Sequence, residues 1–131
     1  MRSEVFSRFH APFPNAGGGI LLSDLIDGLA ADLLTHFSSN RSDEWGADDF
    51  VATLCLRDRL DRLQRDAPPT IRDELVIEVD RLDGMLVDLT EHDSDGLVLS
   101  RFGEPRDASS WWWRRIPKNE PARSEFIFDS V

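Results

Sequence analysis

Apolar residues recur at helical spacing along three stretches of the chain. Over residues 21–37, Leu22, Leu25, Ile26, Leu29, Leu33 and Phe37 form one stripe, which predicts an amphipathic first helix. Asp24, Asp27 and Asp32 favour its N-terminal half, and Gly28 inside it suggests a close crossing with a neighbour. Over residues 45–66 the apolar positions fall on two opposite sides. Ala47, Phe50, Val51, Leu54 and Cys55 make one face; Trp45, Ala52, Leu56, Leu60 and Leu63 make the other. A surface helix needs one apolar stripe, so this central helix is expected to be covered on both sides.

Ser38-Ser39-Asn40-Arg41 reads as a loop before it, with Ser42 as N-cap and Asp43 and Glu44 in the first turn. Gly46 interrupts that start and makes Asp48 the alternative cap. Asp66-Ala67-Pro68-Pro69 ends the central helix. Thr70 then caps a third one, with Asp73 at capping-box distance. Its stripe, Ile71, Leu75, Val79, Leu82, Leu86 and Leu89, is the clearest periodic signal in the chain. Val76, Ile77 and Val87 lie off the stripe and suggest cover on more than one side. Asp93-Ser94-Asp95-Gly96 stops it.

The flanks lack this period. Residues 1–20 place Phe6, Phe9 and Phe13 among Pro12, Pro14 and Gly17-Gly18-Gly19, and read as an extended arm laid on the body. Residues 97–102 fit a short strand or one helical turn, closed by Gly103, Glu104 and Pro105. Trp111-Trp112-Trp113-Arg114-Arg115-Ile116-Pro117 reads as extended, and Phe126 and Phe128 alternate like a strand. The fold expected is all-α: a three-helix core over 21–96, with room for a fourth short helix. Extended arms over 1–20 and 97–131 wrap it, and no repeat or low-complexity linker divides the single domain 1–131.

Composition narrows the function. A net charge of −10 is concentrated in residues 21–96, which hold 19 acidic and 7 basic side chains. Such a body repels nucleic acid and anionic membrane and suits a basic protein partner. No apolar run approaches the roughly 20 residues that span a bilayer. The first residues lack the apolar core of a secretory signal, and a single cysteine, Cys55, allows no internal disulfide. Cytoplasm is the expected compartment.

Two constellations bear on chemistry. In an extended segment Trp111 and Trp113 point one way and Trp112 the other. Trp111 and Trp113 are then expected to bury near Leu56, Leu60 and Leu63. Trp112 is left to meet a partner, with Arg114 and Arg115 placed for cation–π contact or for holding a carboxylate. Asp32 with His36, and Asp88 with His92, repeat a four-residue spacing near the ends of the first and third helices. Two such pairs at one end of a bundle offer zinc or another divalent ion four ligands, while the helix dipole explains the same histidines without a metal. Residues 91–102 echo a calcium loop but place Phe102 where its bidentate acid belongs. No phosphate loop, nucleophile elbow or Cys-x-x-Cys is present, and there is no tyrosine.

The expectation is a non-catalytic acidic protein-binding module of inhibitor, immunity-protein or accessory-subunit type. It requires no cofactor and is compatible with a homodimer. The alternative is a bundle with a metal or small-ligand site at Asp32, His36, Asp88 and His92.

Overall fold

The structure, a computed structural model, describes residues 2–13, 16–37, 46–102 and 110–128; the side chains of Phe13, His36 and Phe37 lie outside that description. So do the predicted loop at 38–41, the Ser42 cap with Asp43 and Glu44, Trp45, and the stop at 103–105. The described chain is mostly helical, with a bundle-like all-α core and a few short strands.

The N-terminal arm is folded where an extended segment was expected. Ser3 caps a short helix α1 (Glu4–Arg8), its Oγ accepting the Phe6 N–H at 3.2 Å. Strands β1 (His10–Phe13) and β2 (Ala16–Leu21) follow as an antiparallel hairpin that pairs His10 with Leu21 and Ala11 with Ile20. Gly19 sits at φ +77°, and a Cβ there would stand 2.5 Å from the Ala11 carbonyl oxygen, so only glycine lets these strands close. The arm still lays a phenylalanine on the body, because Phe6 is fully buried.

Helix α2 (Leu22–Asp32) continues into a π-helical turn, Leu33–Phe37. Its stripe is buried from Leu22 to Leu33. Gly28 is exposed, and an added Cβ would meet nothing within 4 Å, so no close crossing occurs there. Helix α3 (Ala47–Asp66) is capped at Gly46, two residues earlier than the expected Asp48 cap: the Asp49 carboxylate accepts the Gly46 N–H at 2.8 Å. Helix α4 (Pro69–Leu89) starts ahead of Thr70. Proline at its first position has φ preset and no N–H to satisfy, so no side-chain cap is needed. Ile77 and Val87 are 59% and 44% exposed and Val76 is half-buried, so among the described residues nothing covers α4 at Ile77 and Val87.

The C-terminal arm is also folded. Strand β3 (Thr90–His92) pairs antiparallel with β4 (Arg115–Pro117). Between them lies helix α5 (Leu97–Phe102), which settles the strand-or-turn alternative at 97–102 in favour of helix. The Asp93 carboxylate accepts the Val98 N–H at 2.9 Å and fixes its start. The Trp triplet forms a 3₁₀ turn, Trp111–Arg114, and the last element is helix α6 (Ala122–Phe128). Helical spacing replaces the expected strand alternation there: Phe126 is buried and Phe128 is 69% exposed.

Two apolar clusters share α3 and α4. One gathers Phe6, the α2 stripe, Leu60, Ile71, Leu75, Val79 and Leu82. The other gathers Leu33, Phe50, Leu54, Leu86, Val98, Trp112, Trp113, Ile116 and Phe126. Both sides of the central helix carry core residues, Phe50 and Leu54 in the second cluster and Leu60, with Leu56 and Leu63, in the first; Ala52, expected on the latter side, is exposed.

Candidate functional site

A 3₁₀ turn advances three residues per revolution, so three successive indoles splay about a third of a turn apart. Extended backbone would have sent the outer two to one side. Trp112 and Trp113 are consequently 4% and 0% exposed, and Trp111, at 37%, faces outward. The partner-facing assignment of Trp112 is reversed. Nor do the buried indoles reach Leu56, Leu60 and Leu63; they pack in the other cluster, with Leu54 and Phe126.

The reason is a hydrogen-bond acceptor. An indole N–H withdrawn from water needs a partner, and Asp58 on α3 supplies it for two. It accepts the Trp112 Nε1–H at 2.7 Å and the Trp113 Nε1–H at 2.9 and 3.1 Å. Phe102 meets Trp113 edge-on at 5.2 Å, and Trp111 meets Trp112 edge-on at 5.7 Å.

Arg57, the residue before Asp58, completes the junction. Its Nε and Nη2 donate to the two Asp83 oxygens at 2.7 and 3.0 Å, tying α3 to α4. Its guanidinium lies over the Trp112 ring, 4.0 Å from the centroid. Arg57 is buried, and its Nη1 has no hydrogen-bond acceptor among the described residues. The indole face offsets that deficit, since a ring quadrupole attracts a desolvated cation most strongly.

Arg114 is exposed beside the turn. Arg115 is committed elsewhere: its Nε donates to Thr90 Oγ1 at 2.9 Å, and its Nη2 to the carbonyls of Thr90 and Val87 at 2.8 and 3.1 Å. It satisfies the C-terminal end of α4 and is a structural residue. Of the predicted trio, then, the structure exposes only Arg114.

An open groove of about 460 Å³ runs between α3 and α4 beneath the turn. Asp61 and Arg65 line it from α3, Asp80 and Asp83 from α4, and Trp111 and Trp112 from the turn, with Arg57 at the same junction. Asp61 pairs with Arg65 at 2.7 Å, and Asp83 is taken by Arg57. Asp80 is exposed and has no ion pair among the described residues. Among the described residues the groove thus keeps one carboxylate without an ion pair and one exposed indole.

The metal pairs fare differently. Helix α4 ends at Leu89, so Asp88 and His92 do not share a helix face: Asp88 sits exposed in the last turn, and His92 lies in β3 opposite Arg115. Asp32 ends α2, while the side chain of His36 lies outside the description. Among the described residues no three His, Cys, Asp or Glu side chains converge as a metal would require.

Perturbed titration falls on groups that do not line this groove. Arg2 donates to Asp27 at 2.8 and 3.1 Å and to Glu78 at 3.1 Å through both Nε and Nη2. These bonds raise its already high pKa further and hold the Glu78 carboxyl below the usual carboxylate range. Glu74 is lowered too, by its hydrogen bonds from Ser3, including the Ser3 N–H at 2.9 Å. These contacts clamp the N-terminal arm and touch no catalytic constellation.

Trp111 was expected to be buried, and Asp58, Asp80 and Asp83 were not read as site residues. Asp58 had a readable signal: it lies four residues after Leu54 on an apolar face, and indole-rich segments need acceptors. No family model, curated protein or solved structure matches the chain.

Proposed function

We propose that the protein is a non-catalytic, acidic protein-binding module, of inhibitor, immunity-protein or accessory-subunit type, that engages a basic protein partner. The observation that carries this reading is the surface at the Trp turn, where an exposed Trp111 lines one groove with Asp80, a carboxylate with no ion pair among the described residues, on a body whose central 76 residues hold 19 acids against 7 bases. Tryptophan dominates interface hot spots, and complementary charge steers partners together. The role first read for Trp112 passes to Trp111, with Arg114 at its edge.

The test is a complex of stated chemistry. The tagged protein is used to capture partners from its native host at low salt, and each candidate is then produced pure and titrated at rising ionic strength. A partner of high isoelectric point, bound more weakly as salt rises, supports the module. Pure candidates that are acidic, or whose binding ignores salt, would overturn it.

A further inference from the structure

Inside the protein, Arg57, Trp112 and Asp83 form one recognition unit: a guanidinium stacked on an indole and held edge-on by a carboxylate through two hydrogen bonds. One residue earlier in the turn stands Trp111, and one helical turn earlier on α4 stands Asp80. This second indole and carboxylate line the same groove, are exposed, and among the described residues have no guanidinium of their own. Arg65, the other cation in the groove, is paired with Asp61.

We propose that the groove between α3 and α4 receives one arginine side chain of the protein partner, stacked on Trp111 and paired with Asp80. The proposal rests on the module reading above and gives it a site. Charge complementarity fixes the occupant's sign and number: three carboxylates and two guanidinium groups line the groove, which leaves room for one cation. Geometry selects arginine over lysine. A planar guanidinium presents its face to a ring and its edge to a carboxylate at once, whereas an ammonium is a point charge. The internal unit shows the same pairing within the chain: an arginine of α3 over an indole of the turn and bonded to a carboxylate of α4.

The experiment uses the full chain and a blocked Gly-Arg-Gly peptide, with Gly-citrulline-Gly as a neutral isostere and Gly-Lys-Gly as the other cation. Indole N–H signals, assigned by single Trp substitutions, report the site. The arginine peptide is expected to shift the Trp111 signal saturably and leave Trp112 and Trp113, held by Asp58, nearly unmoved. Citrulline should do nothing and lysine should bind more weakly. Trp111→Ala and Asp80→Asn should each weaken arginine binding about two- to fivefold, the scale of exposed cation–π and ion-pair contacts. Both positions are exposed, so the variants should fold, which their circular dichroism checks. Asp73→Asn, an exposed acid elsewhere on α4, should change nothing.

Equal shifts from citrulline, equal losses from Asp73→Asn and Asp80→Asn, or the same response to calcium chloride at lower concentration would each overturn the arginine site. A basic partner that binds the Trp111→Ala, Asp80→Asn double variant undiminished would also sink the site, and would leave the module reading standing. Arginine binding in the groove without any basic partner would do the reverse.

Discussion

The two apolar clusters are built by different means. Apart from Phe6 of the short α1, the cluster around Leu25, Leu29, Leu75 and Val79 is built mainly from long helices, with α2 and α4 repeating their stripes over several turns. The cluster around Leu54, Trp113 and Phe126 draws half its side chains from short elements after residue 97. A repeated stripe sets its own facing, because every turn votes for the same side. A four- to seven-residue element has no such redundancy, and here polar anchors aim it. Asp58 holds two indoles, Asp93 starts α5, and Glu125 on α6 reaches the first turn of α3.

The largest test of that contrast is Trp113→Ala. Trp113 is fully buried among anchored elements, and its loss should cost about 3–5 kcal/mol in chemical denaturation, while exposed Trp111→Ala should stay within about 0.5 kcal/mol. Equal effects would show that the turn does not discriminate among its indoles. Asp58→Ala comes next. It removes no apolar area yet strands two buried indole donors, at about 1–3 kcal/mol each, so the C-terminal cluster should loosen while the helical one holds. Hydrogen exchange resolved by residue reads this directly: uniform loss of protection in both clusters would mean the anchor matters no more to one than to the other.

The helical cluster has its own polar clasp, which should matter less. Glu78 titrates below its unfolded value, about 4.3, because Arg2 bonds its charged form. That stabilisation is present above the unfolded pKa and is lost as pH falls through the lower folded value. Glu78→Gln should therefore lower stability near neutrality by about 0.2–1 kcal/mol and flatten the acid limb below about pH 4. An unchanged acid limb would place the pH dependence elsewhere. The remaining expected effects are gains. Gly28 and Gly84 lie in helices with open space around them, so alanine at either should raise the melting temperature, by about 0.5–1 kcal/mol of stability. A loss at either would mean the position meets something beyond the described residues.

Legibility in the sequence followed the same division. The stripes of α2 and α4 and the two-sided α3 were read residue by residue, because burial there follows period. The flanks were read as extended, since Pro12, the glycines and the Trp triplet carry no period. Their true conformations depend on Ser3, Asp58 and Asp93, acceptors whose targets are either local caps or far along the chain. The candidate site lies where the two regimes meet: its carboxylates come from periodic helices and its indoles from an anchored turn. Trp111 could not be told from Trp112 until the turn type was known, since one residue of phase decides which ring is buried.

The meeting of α6 with α3 carries a consequence in time. The Glu125 carboxylate accepts the Ala47 N–H at 3.1 Å, and a Cβ at Gly46 would collide with it. The central helix thus takes part of its N-terminal cap from a side chain 78 positions later. At about 5–20 residues per second of synthesis, that interval is about 4–16 s. During it the first turn of α3 has emerged without Glu125, its Ala47 N–H left to water. This part of the cap is then completed only after α6 has been made, through a glycine small enough to let the later carboxylate in.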